Sequence, residues 1–119
     1  VKREIGDYIQ DMVDAINKAI KFVENMSYKD FVQDDKTIFA VLRALEVVGE
    51  AVKNIPPEFR EQYPEIPWRD MASMRDKLIH AYHGVRLEVV WATVKEEIPP
   101  LKLVFEKILE IEAGNDGNE

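Results

Sequence analysis

With 119 residues, 46% of them apolar, the chain has material for one domain around one core and not for two. Sixteen basic against 23 acidic residues leave a net charge of −7. That excludes an indiscriminate nucleic-acid coat and a membrane-surface protein, both of which need a positive overall field. The absence of Cys removes disulfides, thiolate metal sites and a Cys nucleophile. No apolar run approaches the roughly 18 residues of a membrane span, and the opening residues lack the apolar stretch of a signal peptide, so the expected location is the cytoplasm.

Helical periodicity dominates from the first residues. Ile5, Ile9, Met12, Ile16, Ala19, Val23 and Met26 step by four and three, a spacing that keeps one apolar seam facing a neighbouring helix. Ser27 and Asp30 have the spacing of a capping box and predict a short helical turn. Asp34 and Asp35 precede a second helix, whose seam is Ile38, Val41, Leu45, Val48, Val52 and Ile55. Pro56-Pro57 end it, and one helical turn is expected between Glu58 and Tyr63.

Pro67 suits the first turn of a third helix over roughly residues 67–82, with Gly84 as its stop. A fourth helix begins near Arg86 or Leu87 and runs to about Glu112, with the seam Leu87, Trp91, Val94, Ile98, Leu101, Phe105 and Ile108. The seam stays in register across Pro99-Pro100, which predicts a kink rather than a break, with the carbonyls of Lys95 and Glu96 losing their N–H partners. The expectation is an all-α, up-and-down bundle of four main helices with a short extra turn. One domain covers residues 1–112, and the polar tail 113–119 is expected to be disordered.

The third helix breaks the pattern. Continued from Trp68, its seam reads Met71, Arg75, Leu78 and Tyr82, which puts a guanidinium on the apolar stripe. A register through Met74 moves Arg75 to the stripe's edge. A buried Arg needs partners for five donors, and Glu46 or Glu50 on the second helix can supply them. Asp76 and His80, four apart, share a face, so the carboxylate can fix the imidazole tautomer. Arg75 and His80, five apart, sit about 140° from each other around the axis, so they meet only through a sweeping Arg side chain, a distorted helix or a second copy. Asp76, His80 and His83 also have the four-three spacing of metal ligands. Residues 66–86 hold four cations (Arg69, Arg75, Lys77, Arg86) and two acids (Asp70, Asp76), giving +2 against −9 for the rest. An anionic ligand is drawn here and repelled elsewhere.

Arg75-x4-His80-x-Tyr82 resembles the Arg-x4-His-x-Tyr signature of HEPN-domain proteins of the HepT toxin type. The segment from Met26 to Phe31, Leu45-Glu-Val-Val-Gly-Glu-Ala51, Pro67-Trp68-Arg69, Gly84-Val85 and Val90-Trp91 are similar to that family as well, so the resemblance covers nearly the whole chain. It implies a helical homodimer in which two motifs face each other and form a composite endoribonuclease site that needs no metal and no cofactor. By this resemblance Arg75 and His80 are the catalytic pair. Asp76 supports them at a position where family members often carry Asn. Tyr82 is the residue that a cognate MNT-type nucleotidyltransferase antitoxin modifies with AMP. The implied role is the toxin of a toxin–antitoxin pair, of type II or the modification type, acting on RNA. The alternative is a non-catalytic HEPN module that binds a nucleotidyltransferase or a nucleotide.

Overall fold

The structure is a computed structural model and describes residues 4–73 and 86–117. Among them every regular element is helical. Helix α1 spans Ile5–Phe22, and its N-terminus is closed by reciprocal bonds between Glu4 and Asp7. Ile9, Met12, Ile16 and Ala19 on its seam are fully buried, and Val23 nearly so. Asn25 then turns the chain with φ 63°, a left-handed conformation that Asn tolerates better than most residues.

Helix α2 is the single turn Tyr28–Val32. Its start is the predicted capping box: the Asp30 N–H donates to Ser27 Oγ at 3.1 Å, and the Ser27 N–H donates to the Asp30 carboxylate at 3.0 Å. Helix α3 spans Asp35–Lys53. Asp34 caps it, accepting from the Thr37 hydroxyl at 2.8 Å and the Thr37 N–H at 3.1 Å. Those two bonds hold the Asp34 carboxyl below its usual range, the hydroxyl contributing most. Val41, Leu45, Val48, Val52 and Ile55 are buried as the spacing predicts.

Helix α4 is the turn Pro57–Glu61, and α5 is described over residues 68–73. Helix α6 covers Leu87–Ala92 and α7 covers Ile98–Gly117, so helical backbone continues into the polar tail. Between α6 and α7, Thr93–Glu97 form a π turn, in which the Ile98 N–H reaches back five residues to the Thr93 carbonyl. The sequence predicts an α-helix kinked by Pro99-Pro100. The helical backbone runs on through this wider turn into α7, so the two prolines, which lack the N–H that would bond the carbonyls of Lys95 and Glu96, follow directly on a π turn rather than a break.

The core joins these elements. Helix α1 packs against α3 and α7, and α2 lies across α3 and α6. Phe31 and Phe105, far apart in the chain, are both fully buried, each stabilising by roughly 1.5–3 kcal/mol through apolar burial. The Trp91 ring lies 5.3 Å from Phe31 and 6.0 Å from Tyr28. Lys95 Nζ sits 4.9 Å over the same indole and donates to the Val23 carbonyl at 3.2 Å, tying the π turn to the end of α1. No helix among the described residues is long and apolar enough to cross a membrane.

Candidate functional site

Arg75, Asp76, His80, Tyr82 and His83 lie outside the described residues, as does the rest of the third helix beyond residue 73. The structure describes the two ends from which that segment springs. On the N-terminal side the frame begins with Arg60. Its guanidinium donates to the carbonyls of Val52 at 2.7 Å and Ile55 at 3.0 Å. The Val52 carbonyl also accepts from the Ile55 N–H at 3.0 Å, and Ile55 lies just past the end of α3, so the guanidinium closes the chain reversal at the helix C-terminus, where a cation suits the helix dipole. Helix α4 is thereby held against the end of α3.

Trp68 joins α5 to this frame. Its indole N–H is shared between the carbonyls of Arg60 at 3.1 Å and Tyr63 at 3.0 Å, and its ring stands edge-on to Phe105 at 5.8 Å. Ile66, Trp68 and Met71 are buried, whereas Arg69 and Asp70 face outward. The first turn of the third helix therefore has the predicted seam. Neither the Arg60 cap nor the shared indole donor is legible as a motif; the available signal is an Arg shortly after a helix C-terminus.

On the C-terminal side, Arg86 caps α6 in sequence and pairs with Glu88 at 2.8 Å. The Glu88 carboxyl is held below its usual range by its own backbone N–H and then by the Arg86 side chain. Glu88 thus offsets one of the four cations counted in residues 66–86, and the local positive field rests on Arg69, Arg75 and Lys77.

A cavity of about 200 Å³ opens beside α5, floored by Ile16, Val48, Met71 and Ile98, with Asp70 and Glu97 among its lining residues. Two carboxylates and an apolar floor disfavour a phosphate there. Ser73 and Thr93 are also occupied: their hydroxyls donate to the carbonyls of Asp70 at 3.0 Å and Val89 at 2.8 Å. Glu46 and Glu50, the partners weighed for a buried Arg75, pair with Arg43 at 3.1 and 3.6 Å. The described residues contain no group of three or more His, Asp or Glu arranged to hold a metal; the Asp76, His80 and His83 alternative falls outside them.

The family model "Ribonuclease HepT-like" matches residues 12–108, a span that contains every motif residue named above. A protein of Thermococcus cleftensis named "Probable ribonuclease HepT" is 56% identical over 108 residues, covering 91% of this chain and 98% of the relative. A putative RNase of Methanocaldococcus jannaschii is 47% identical over 117 residues, covering 98% of this chain and 97% of the relative. A putative RNase of Caldanaerobacter subterraneus is 43% identical over 105 residues, covering 88% and 94%. No solved structure matches the chain.

Proposed function

The chain belongs to the HepT-like ribonuclease family, and from that premise we propose that it is a metal-independent endoribonuclease with Arg75 and His80 as its catalytic pair. The observation that carries this is the ordered motif Arg75-x4-His80-x-Tyr82, inside the matched span and inside a locally positive stretch of an acidic chain.

The chemistry follows from the side chains. An imidazole ordinarily changes charge near neutral pH, so histidine is the side chain suited to take the proton of a ribose 2′-hydroxyl, the role given to His80. The 2′-oxygen then attacks the adjacent phosphorus, the P–O5′ bond breaks, and the 5′-oxygen leaves with a proton. The products are a 2′,3′-cyclic phosphate and a 5′-hydroxyl. Arg75 holds two non-bridging oxygens and offsets the charge that develops on them. Asp76, four residues before His80, orients the imidazole. A homodimer places two motifs across a two-fold axis, which brings together side chains that one ideal helix holds about 140° apart.

The physiological role in this reading is the toxin of a cytoplasmic toxin–antitoxin pair. The domain spans residues 1–112. The partner is an MNT-type nucleotidyltransferase that transfers AMP to Tyr82, adding bulk and negative charge where RNA must enter. The test is cleavage of total RNA by the purified chain. His80→Ala and Arg75→Ala should each abolish it with the helical circular-dichroism signal intact, and a mixture of the two variants should regain part of it. Undiminished cleavage by His80→Ala removes the catalytic assignment. A wild-type chain that leaves RNA intact yet binds the nucleotidyltransferase supports the non-catalytic alternative. No recovery in proven heterodimers means that one chain supplies both groups.

A further inference from the structure

The cavity beside α5 has no role in the proposed cleavage, yet it lies where α1, α3, α5 and α7 meet. Ile16, Val48, Met71 and Ile98, one from each of those helices, are buried and make its floor. Pro67, Asp70 and Glu97 are exposed and mark its mouth. Thr93 and Glu97, the first and last residues of the π turn, both line the space. Wider turns of this kind recur at functional sites.

We infer that this cavity binds a small organic cation, with an ammonium group held at the mouth by Asp70 and Glu97 and an apolar body filling the floor. The volume sets the size. About 200 Å³ exceeds the roughly 150 Å³ of an apolar cavity that takes up benzene, so a single ring on a short charged arm fits. The floor sets the character of the body. Its one polar side chain is Thr93, whose hydroxyl already donates to the Val89 carbonyl at 2.8 Å. An ordered water needs roughly two to four polar partners, so apolar atoms suit the floor better than water does.

The mouth sets the charge. Among the described residues neither Asp70 nor Glu97 is paired with a basic side chain. Lys95, the only base in the π turn, is engaged by the Trp91 ring at 4.9 Å and the Val23 carbonyl at 3.2 Å. Two carboxylates at one opening repel an anion and attract a cation. A ligand seated there touches α1, α3, α5, the π turn and α7 at once, and binding to the folded chain alone raises its stability with occupancy.

Benzylamine, protonated at neutral pH, is the probe. With about eight non-hydrogen atoms its dissociation constant is expected to be on the order of millimolar. Methyl NMR of the full chain should show saturable shifts at Ile16, Val48, Met71 and Ile98, and thermal melts should rise with benzylamine concentration. Benzyl alcohol, the same shape without the charge, should bind more weakly, and benzoate should leave the methyls unmoved. Both acids are exposed, so Asp70→Asn and Glu97→Gln should fold normally, each weakening benzylamine by roughly two- to five-fold. The double variant should bind benzylamine no better than benzyl alcohol. Any of four results overturns the proposal: no saturation well above the millimolar range, shifts confined to other methyls, benzyl alcohol binding the wild type as tightly as benzylamine, or undiminished benzylamine binding by the folded double variant. Loss of cleavage in the His80 variant bears only on the catalytic reading, and these titrations only on this one.

Discussion

Trp68→Phe tests what holds the start of the third helix. The substitution keeps a ring against Phe105, which lies 5.8 Å away edge-on, and removes the single donor shared by the carbonyls of Arg60 and Tyr63 at 3.1 and 3.0 Å. Trp68 is 7% exposed, so water does not simply replace the indole N–H. Both carbonyls keep a backbone donor, the Tyr63 N–H on Arg60 and the Ile66 N–H on Tyr63, each at 3.1 Å, so neither is left unsatisfied. The loss is therefore that of one shared hydrogen bond, about 1 kcal/mol within a range of about 0.5–1.5 kcal/mol. For a domain of this length that is a fall in Tm of about 4 °C, at about 4 °C per kcal/mol. Urea unfolding followed by circular dichroism, at one protein concentration for both chains, should show a lower midpoint with an unchanged slope. A loss below about 0.5 kcal/mol, the range of ordinary surface changes, refutes the reasoning: the indole N–H would then contribute nothing to the docking of α5.

Asp34→Ala should lower Tm at pH 7, because Thr37 loses both partners at the start of α3. The Asp34 carboxyl has a folded-state pKa below its ordinary value of 3.8. Its stabilisation is therefore complete above that value and is lost as pH falls through the folded-state midpoint, so thermal melts of variant and wild type should converge in acid. EDTA should leave RNA cleavage intact; loss on chelation with recovery on adding a divalent metal would make Asp76, His80 and His83 ligands. Tyr82→Phe should keep much of the cleavage, because a phenol with an ordinary pKa near 10 is a poor base at neutral pH. The same variant should stay toxic beside the nucleotidyltransferase, and mass spectrometry of the wild-type chain should find AMP on the peptide containing Tyr82.

The sequence by itself determined what depends on near neighbours. The Ser27–Asp30 box and the Asp34 cap are bonds across three residues, so spacing alone specifies them. The seams of α1 and α3 are equally local, because a stripe repeating every three or four residues has one apolar side whatever it packs against. The Arg75-x4-His80-x-Tyr82 motif and its basic surroundings were legible for the same reason, and together with the flanking segments they were enough to indicate the family. Tertiary structure decided where distant groups meet. Lys95 reaches the Val23 carbonyl across 72 residues, and Arg60 serves carbonyls five and eight residues back across a chain reversal. The π turn before Pro99-Pro100 belongs to the same class: spacing shows that two N–H groups are missing, but how the helix makes room for them depends on keeping Val94, Ile98 and Phe105 buried on both sides of the turn. Local bonds follow from the order of residues along the chain, whereas a cap or a pairing between helices exists only once packing has chosen which faces touch and at what height.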